Sequence, residues 1–347
     1  MRTIQIGVGF WGLSWARIAL ESPDVELVGI VEPIREHRDR VCELYGIEAR
    51  NAFDSIETAV KNLEPEAALV IVGAEHHAAV TLRALDMGLH CLVEKPIAPT
   101  MGEAKRMVKA AEQAGKNLMV SQNYRFRKPP RTVRRILERT DVIGRVGNVH
   151  VNFQKSPKFV NNFRTEIEEP LITDMAIHTF DQMRSVIGLE PVSVLAESWN
   201  TRWSTFKGNP VASIVFEMEG GVRVTYIGNW VSKGWQTSWD GDWVISCDGG
   251  EVRWERNRVS FRVENLLYEV HTPGAAEAAG ELVLDLVEIP AEDRAGVLHE
   301  FAGSIRENRE PETSGKDNLH TLAMVLGACR SIREGRRVAI EEILSGD

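Results

Sequence analysis

Short apolar runs alternate with helical patterns along the first part of the chain. Buried strands are predicted at residues 3–6, 25–31, 68–72, 90–93 and 117–121. Between them, apolar positions recur with a period of about 3.6 residues, which predicts helices at residues 12–22, 34–45, 55–62, 76–87 and 100–114. Glycine follows several of these segments, as it does at many helix ends. This alternation predicts an α/β fold with a doubly wound parallel sheet.

After Pro129-Pro130 the pattern changes to an alternation of apolar and polar residues. Strands are predicted at residues 146–154, 192–199, 212–217, 222–229, 243–247, 251–255 and 259–263. Gly220-Gly221 and Asp248-Gly249-Gly250 fall between such strands and indicate hairpin connections. Helices are predicted at residues 131–139, 173–187 and from 294 onwards, the last interrupted by a polar loop at 308–318. Residues 271–280 suggest a mobile excursion.

These patterns divide the chain into three segments. We predict a first, α/β domain at residues 1–122 and a second, α+β domain with an open, mainly antiparallel sheet at residues 123–293. The helical segment 294–347 is expected to pack back on the first domain. A length of 347 residues, with 43% hydrophobic and 26% charged side chains, suits a protein of about two domains with a full core.

The charge of the chain argues against nucleic acid as a partner. The formal net charge is -9 at pH 7, whereas a phosphate-binding surface would need a stripe of lysine and arginine. One basic cluster, at residues 125–135, is short and interrupted by Pro129-Pro130. We interpret it as a solvated surface.

Cysteine spacing and the start of the chain bear on its location. Cys42, Cys91, Cys247 and Cys329 lack the spacing of a metal site or of disulfide pairs, so no metal is expected and reduced thiols fit best. The first predicted strand leaves no room for a signal peptide, and no apolar run approaches the length of a membrane span. We therefore expect a cytoplasmic protein that is not membrane-bound.

The first candidate site is the turn Gly7-Val8-Gly9-Phe10-Trp11-Gly12, which follows a predicted strand and opens a helix. In a dinucleotide-binding turn of this form, Gly7 allows the tight bend, Gly9 lets the backbone approach the pyrophosphate, and Gly12 permits close helix packing. Free N–H groups at the helix start would face the phosphates. The alternative is a glycine-rich turn that binds no nucleotide.

Glu32 ends the second predicted strand and bears on the choice of cofactor. It would accept hydrogen bonds from the adenosine ribose hydroxyls, and it would repel a 2′-phosphate, which favours NAD over NADP. Arg35 and Arg38 follow closely enough to keep NADP possible.

Glu94-Lys95-Pro96 ends a short apolar run and is the second candidate site. A lysine at the carboxyl end of a central strand points into the crevice where ligands bind. There it can donate a hydrogen bond to an oxygen on which charge develops. Pro96 restricts the backbone of Lys95. The alternative is a surface lysine at a strand end.

Asp174 and His178 are four residues apart on the predicted helix 173–187, which places them on one face. The helix dipole favours the ionised form of Asp174, which can orient His178. His178 would then accept the proton of a substrate hydroxyl, while Asp181 suits a structural hydrogen bond. The alternative is an ordinary Asp–His contact on a helix surface. Together with Lys95, the pair favours a nicotinamide-dependent dehydrogenase.

Substrate contacts are predicted at the end of the strand 146–154, where Gln154 and Lys155 could meet substrate hydroxyls. Lys155 alone could equally be an exposed lysine without a role. Seven of the nine tryptophans lie between Trp199 and Trp254. Such rings can stack on sugars, but packing within a sheet or a subunit interface is the favoured interpretation.

Several of these segments resemble the Gfo/Idh/MocA family of oxidoreductases, over essentially the whole chain. The glycine turn resembles its cofactor loop, and residues 74–77 followed by Glu94-Lys95-Pro96 are similar to its His…Glu-Lys-Pro spacing. Residues 122–126 resemble the segment that joins its two domains. Residues 174–181 resemble its Asp-x-Gly-x-His-x-x-Asp motif, and residues 331–338 are also typical of it.

The resemblance implies an amino-terminal Rossmann domain and a carboxy-terminal sheet that joins subunits in a homodimer or homotetramer. It implies catalysis by Lys95, Asp174 and His178, with His178 as the base, on a polyhydroxylated small molecule. The predicted cofactor-binding residues are Gly7, Gly9, Phe10, Trp11, Gly12, Glu32, Arg35, Gly73, His77, Glu94, Lys95 and Asn123. The predicted substrate-binding residues are Lys95, Tyr124, Gln154, Lys155, Asp174 and His178.

Two departures from the family pattern concern the wall near the substrate. Ala176 stands at the motif glycine, and Pro170-Leu171-Ile172 replaces glycines that are common before the motif. Three hypotheses remain open. The first is reversible oxidation of a secondary hydroxyl of a sugar, cyclitol or sugar derivative to a ketone. The second is a non-redox reaction with tightly held NAD, and the third is a non-catalytic NAD-binding regulatory protein.

Overall fold

The computed structural model describes residues 1–159, 162–263 and 280–346, which form two compact units. The first unit contains Met1–Phe126 and Pro290–Leu319, together with Gly346. The second contains Arg127–Ile289, apart from residues 160–161 and 264–279, and His320–Ser345. The predicted excursion at residues 271–280 lies, except for Gly280, outside the described residues.

The first unit is built on a parallel sheet of six strands with the order β3-β2-β1-β4-β5-β6. Its strands are β1 Arg2–Ile6, β2 Glu26–Val31, β3 Ala52–Phe53, β4 Ala67–Val70, β5 His90–Glu94 and β6 Leu118–Ser121. Its helices are α1 Phe10–Glu21, α2 Arg35–Tyr45, α3 Ile56–Leu63, α4 His77–Asp86 and α5 Met101–Ala114. The predicted doubly wound parallel sheet is confirmed. The strand order reverses between β1 and β4, the place where such sheets bind ligands.

The described part of the second unit contains a sheet of nine strands, ordered β14-β13-β12-β11-β7-β10-β9-β8-β15. The strands are β7 Val146–Gln154, β8 Pro191–Trp199, β9 Val211–Met218, β10 Arg223–Asn229, β11 Asp242–Cys247, β12 Gly250–Glu255, β13 Arg258–Val263, β14 Leu282–Leu284 and β15 Val338–Ala339. Strands β7 and β10 pair in parallel, and the other described pairs are antiparallel. The predicted open, mainly antiparallel sheet is confirmed.

One face of this sheet carries the core of the second unit. The helices of this unit include α6 Lys128–Leu137, α7 Thr140–Ile143 and α8 Ile177–Ile187. On the buried face, Trp243 stacks on Trp254 with ring centroids 5.3 Å apart, and Phe180 of α8 meets Phe216 edge to face at 4.9 Å. Helix α6 begins three residues before its predicted start at 131, because proline is tolerated in a first helical turn.

The carboxy-terminal helices belong to different units. Helix α9, Asp293–Arg306, lies in the first unit, where Val297 and Phe301 join a buried cluster that includes Trp15. Helix α10, Gly315–Glu334, and helix α11, Ile340–Leu344, follow. Residues up to Leu319, and Gly346, belong to the first unit, whereas His320–Ser345 belong to the second. That the helical segment 294–347 packs back on the first domain stays a prediction. The later part of α10 packs on β8 in the second unit, where Ser331 Oγ accepts a hydrogen bond of 3.0 Å from the Ala196 N–H.

A π-helix at Leu171–Ala176 precedes α8 and corrects the prediction of one continuous helix at residues 173–187. Its hydrogen bonds join residues five apart rather than four. Asp174 lies inside this π-helix and His178 lies in α8. The argument that four-residue spacing places both side chains on one α-helical face therefore does not apply.

Across the described ranges, the helices are all too short or too polar to span a bilayer.

Candidate active site

The glycine turn between β1 and α1 has the geometry of a dinucleotide-binding loop. Gly7 has a φ of +92°, and a Cβ there would overlap the backbone oxygen of Ile71. A Cβ at Gly12 would overlap the backbone oxygen of Gly7, whereas a Cβ at Gly9 would meet nothing within 4 Å. The N-cap of α1 is Gly9, which has no side chain to cap the helix and so leaves the N–H groups of the first turn to an anion. These features fit the pyrophosphate of a dinucleotide.

Gln5 holds this turn in shape, and the sequence interpretation missed it. Its Nε2 donates hydrogen bonds to the backbone oxygens of Gly7 at 2.9 Å and Gly12 at 2.8 Å. The side chain is fully buried. A polar residue inside the apolar run of β1 was the available signal, because a buried amide needs hydrogen-bond partners.

Glu32 is buried beside the glycine turn. Its Oε2 accepts a hydrogen bond of 3.1 Å from the Val8 N–H, and its Oε1 accepts one of 3.1 Å from the Ile34 N–H. Each carboxylate oxygen can accept a second hydrogen bond, which leaves capacity for ribose hydroxyls. Arg38 donates a hydrogen bond to the Glu32 backbone oxygen. Arg35 is exposed, and its Nε lies 3.4 Å from Asp39 Oδ2.

Replacing Glu32 by Ser is expected to shift cofactor preference towards NADPH. The ratio of the dissociation constants of NADH and NADPH should change by about 10–100-fold, because a hydrogen bond to a charged group is lost and a 2′-phosphate is no longer repelled. Fluorescence titration with both cofactors measures the ratio. Loss of the Val8 and Ile34 hydrogen bonds to Glu32 would weaken both cofactors alike, so it cancels in the ratio. Glu36→Ser, an exposed change on α2, is the control, and an unchanged ratio in Glu32→Ser would contradict the prediction.

The Glu94-Lys95-Pro96 turn is anchored from two sides at the carboxyl end of β5. Trp15 Nε1 of α1 donates a 2.7 Å hydrogen bond to Glu94 Oε1, and the Lys95 N–H lies 3.0 Å from Glu94 Oε2. On the other side, His77 Nδ1 lies 2.8 Å from the Pro96 backbone oxygen. Lys95 is half-buried at this fixed position.

His77 connects two loops of the first unit rather than presenting a free ring nitrogen. Its Nε2 lies 3.2 Å from the Val72 backbone oxygen, and the ring is 1% exposed. Burial lowers the pKa of His77, although the Pro96 carbonyl acts in the opposite direction. Any effect on the cofactor would therefore pass through the positions of these loops. Two further residues predicted to bind the cofactor also lie in the first unit. Gly73 is the N-cap of the 3₁₀ turn before α4, and the Asn123 side-chain amide donates a hydrogen bond to Asp293 Oδ1.

Asp174 is held by an arginine that the sequence interpretation missed. Arg164 Nε lies 2.6 Å from Asp174 Oδ2, and Nη2 lies 3.2 Å from Oδ1. The guanidinium carbon lies 4.6 Å from the ring centroid of Phe163 and 5.4 Å from that of Phe159. This bidentate ion pair favours the ionised form of Asp174. The sequence interpretation gave that role to the helix dipole.

His178 lies in the first turn of α8 and is 7% exposed. Asp181, one turn later, is 1% exposed and accepts a hydrogen bond of 3.2 Å from Thr321 Oγ1. The structural role suggested for Asp181 is consistent with this bond. His178 and Asp174 belong to the second unit and Lys95 to the first, and the roles of all three residues stay predictions.

Lys155 is half-buried, and its role in substrate binding stays a prediction. Its Nζ lies 5.0 Å from the ring centroid of Trp239, and burial, aided by Arg256, lowers the pKa of Lys155. Gln154 pairs with Asn152 through its side-chain amide at 2.9 Å. Tyr124 lies half-buried in the 3₁₀ helix Asn123–Phe126 of the first unit.

The tryptophans of the second unit fall into packed and exposed groups. Trp230 is 2% exposed and stacks on Phe206 with centroids 5.7 Å apart. Together with the Trp243–Trp254 pair, it supports the packing interpretation. Trp235, by contrast, is 83% exposed.

Comparison with known proteins identifies the family. A model described as an oxidoreductase family with an NAD-binding Rossmann fold matches residues 1–122, and a model of the GFO/IDH/MocA C-terminal domain matches residues 104–253. D-apiose dehydrogenase of Paraburkholderia graminis is 26% identical over 97% of this chain and 89% of that protein. Inositol 2-dehydrogenase of Rhizobium meliloti is 24% identical over 96% of this chain and 98% of that protein.

A solved structure shares the whole fold. An oxidoreductase from Agrobacterium radiobacter, in complex with NAD+, L-tartaric acid and magnesium, superposes with a TM-score of 0.85 at 22% identity over 99% of both chains. The predicted oxidoreductase class and the predicted NAD cofactor are confirmed. With family models matched in both its parts, from residue 1 to residue 253, the chain belongs to the Gfo/Idh/MocA family of NAD-binding oxidoreductases.

Proposed function

We propose that this protein catalyses the reversible NAD-dependent oxidation of a secondary hydroxyl of a sugar, cyclitol or sugar derivative to a ketone. The observation that carries the proposal lies within the first unit. The glycine turn that fits a dinucleotide and the anchored Lys95 both lie at the carboxyl ends of its parallel strands, and Trp15 links them through Glu94. Ligands bind at this edge of doubly wound sheets. The names of the apiose and inositol dehydrogenases support a polyol substrate.

The proposed reaction divides the two hydrogens of the alcohol between cofactor and protein. Bound NAD supplies the acceptor for the hydride that leaves the carbinol carbon. Lys95 donates a hydrogen bond to the substrate oxygen as its charge develops. His178 accepts the hydroxyl proton, and Asp174, kept ionised by Arg164, stabilises the imidazolium that forms. The product is a ketone, and the reverse reaction returns both hydrogens.

The proposal is tested by following NADH absorbance with a panel of sugars, cyclitols and sugar acids, first with NAD and then with NADP. NADH that accumulates with one substrate class supports hydride transfer, and Lys95→Ala and His178→Ala should abolish the signal. Product formation without net NADH would instead indicate a non-redox reaction with retained NAD. Tight NAD binding without turnover of any panel member would favour a regulatory protein.

We propose that copies of the chain associate through the open face of the second unit's sheet as a homodimer or homotetramer. On this face, Leu195 of β8 and Ile227 of β10 are 41% and 38% exposed. Their strands are joined through β9, where Leu195 pairs with Val215 and Ile227 with Ser213. Exposed apolar residues on the same face of a sheet suit a subunit interface.

Ile227→Lys is expected to lower the molar mass of the assembly in light scattering after gel filtration, because a buried unpaired charge destabilises an interface. Leu44→Lys, at an equally apolar exposed position on α2, should leave the mass unchanged. A wild-type chain that is monomeric at micromolar concentration would refute the proposed assembly.

We also propose a cytoplasmic location. All four cysteines are free thiols, and burial raises the pKa of Cys247 to about 11 and that of Cys329 to about 12. Such thiols are poorly reactive and suit a reducing compartment. Fractionation of the source cells would test the location.

A further inference from the structure

An arginine from the carboxy-terminal part of the chain lies against the glycine-turn helix. Arg294 is in the first turn of α9, and its Nη2 donates a hydrogen bond of 2.8 Å to Ser14 Oγ of α1. Its guanidinium carbon lies 4.7 Å from the ring centroid of Trp11 and 5.6 Å from that of Trp15. These residues all belong to the first unit. Arg294 is thus part of the surroundings of the glycine turn.

One end of the Arg294 guanidinium is left without a partner. Its Nη1 is buried and has no hydrogen-bond partner among the described residues. An unpaired buried donor of this kind is costly and calls for an explanation. Burial also lowers the pKa of Arg294, and the Glu94 carboxylate only partly offsets this. An anion that accepted a hydrogen bond from Nη1 would remove both costs.

The backbone that carries Arg294 is tightly held. The preceding residue, Asp293, adopts a left-handed φ of +57°, which is uncommon for a residue other than glycine, and Asn123 donates to its carboxylate. Val297, on the turn that follows, is fully buried in the core of the first unit. A side chain fixed in this way loses little conformational freedom when it binds a ligand.

The glycine turn itself supplies no side-chain cation. Residues 7–12 contain neither lysine nor arginine, and the buried carboxylate of Glu94 is bonded to Trp15 of the same helix. Backbone N–H groups offer partial charges only, whereas a dinucleotide pyrophosphate carries two negative charges. A guanidinium suits this group because its planar fork can donate two parallel hydrogen bonds to phosphate oxygens.

We propose that Arg294 binds the pyrophosphate of the nicotinamide cofactor and thereby completes the glycine-turn site from the carboxy-terminal part of the chain. The competing explanation is structural: Arg294 holds α9 against α1 by stacking on Trp11 and bonding to Ser14. The two explanations differ in their ligand dependence. A pyrophosphate contact affects ligands that carry this group, while a structural contact affects every ligand of the site.

The test measures the binding of NADH, ADP-ribose and adenosine to the wild type, Arg294→Lys and Arg294→Gln. NADH is followed by fluorescence, and the other two ligands by displacement of NADH. Arg294→Gln should weaken NADH and ADP-ribose by about 10–100-fold, the range expected for a hydrogen bond to a charged group. Adenosine should stay within about twofold, a difference of less than 0.5 kcal/mol. Arg294→Lys should lose less affinity than Arg294→Gln, because it keeps the charge without the fork.

Arg306→Gln is the matched control, since Arg306 is an exposed arginine in the last turn of α9. Its Nη2 lies 3.8 Å from Asp24 Oδ1. It should bind all three ligands like the wild type. The proposal is overturned if NADH binds Arg294→Gln as tightly as it binds the wild type, or if adenosine binding weakens by the same factor as NADH binding. It is also overturned if Arg294→Lys and Arg294→Gln lose the same affinity for NADH. Should Arg294→Gln fail to fold, the ligand pattern of Arg294→Lys decides. Because binding needs no turnover, a negative result leaves the proposed hydride transfer standing.

Discussion

Lys95→Met is expected to lower kcat/KM by about 10³-fold with the substrate found in the panel, because loss of one preorganised donor to a developing oxyanion costs about 10²–10³ in rate. The turn that carries Lys95 is anchored by Trp15 through Glu94 and by His77 through Pro96, so the change should leave the surrounding backbone in place. NADH affinity should fall far less than the rate. Steady-state kinetics beside NADH titration separate the two effects.

Lys109→Met provides the control, since Lys109 is exposed on α5. It should retain wild-type rates. Lys95→Arg should recover little activity, because the guanidinium differs from the ammonium in shape and reach. If Lys95→Met keeps more than a tenth of the wild-type kcat/KM, Lys95 is not the donor in the reaction.

The same experiment distinguishes the base from the donor. His178→Ala should lose about 10²–10⁴-fold in kcat, the range for a positioned general base. Added imidazole should restore part of this rate in His178→Ala but none in Lys95→Met, because a soluble base can replace a missing proton acceptor. Absence of any rescue, together with a small loss of rate, would argue that His178 only packs inside α8.

The sequence was sufficient for five of the six strands of the first unit because buried strands and amphipathic helices have different periods. Strand β3 was missed because two residues, Ala52-Phe53, show no period at all. The packing partners of the carboxy-terminal helices are hard to predict from the sequence for another reason. Both α9 and α10 are amphipathic, and the pattern does not record whether their apolar faces pack on the first unit or on β8. The partner of an amphipathic helix is decided by tertiary contacts.

The candidate site divides in the same way. Gly7 and Gly12 could be proposed from the sequence because a tight turn between strand and helix requires glycine there, and Glu32 because it ends the strand that follows the glycine-turn helix. Arg164 and Arg294 could not, because each acts on a group from another element, and nothing in their own neighbourhood marks them. The π-helix at Leu171–Ala176 was equally hidden, since a shift from four-residue to five-residue hydrogen bonding leaves the apolar pattern almost unchanged.

Arg164→Ala is expected to lower kcat/KM by about 10²-fold through Asp174, because hydrogen bonds to charged groups contribute about 1.5–3 kcal/mol. Arg164 contacts the rings of Phe159 and Phe163, and the Asp174 side chain is 15% exposed. Removing one partner of a pair this sheltered leaves the other charge poorly compensated. Arg164→Lys should recover part of the rate, because it keeps the charge but loses the two-pronged geometry.

A double-mutant cycle in kcat/KM decides whether the two residues act as a unit. Arg164→Ala and Asp174→Asn together should cost little more than Asp174→Asn alone, because Arg164 has no further effect once the carboxylate is gone. Effects that simply multiply would mean that Arg164 and Asp174 act independently, and Arg164 would then need a role of its own.

Arg139→Ala is the matched control. Its ion pair with Asp141, 2.8 Å long, is exposed on the surface of the same unit, and such pairs contribute about 0–1 kcal/mol. Losing that pair should change neither the rate nor the melting temperature measurably, whereas Arg164→Ala should lower both.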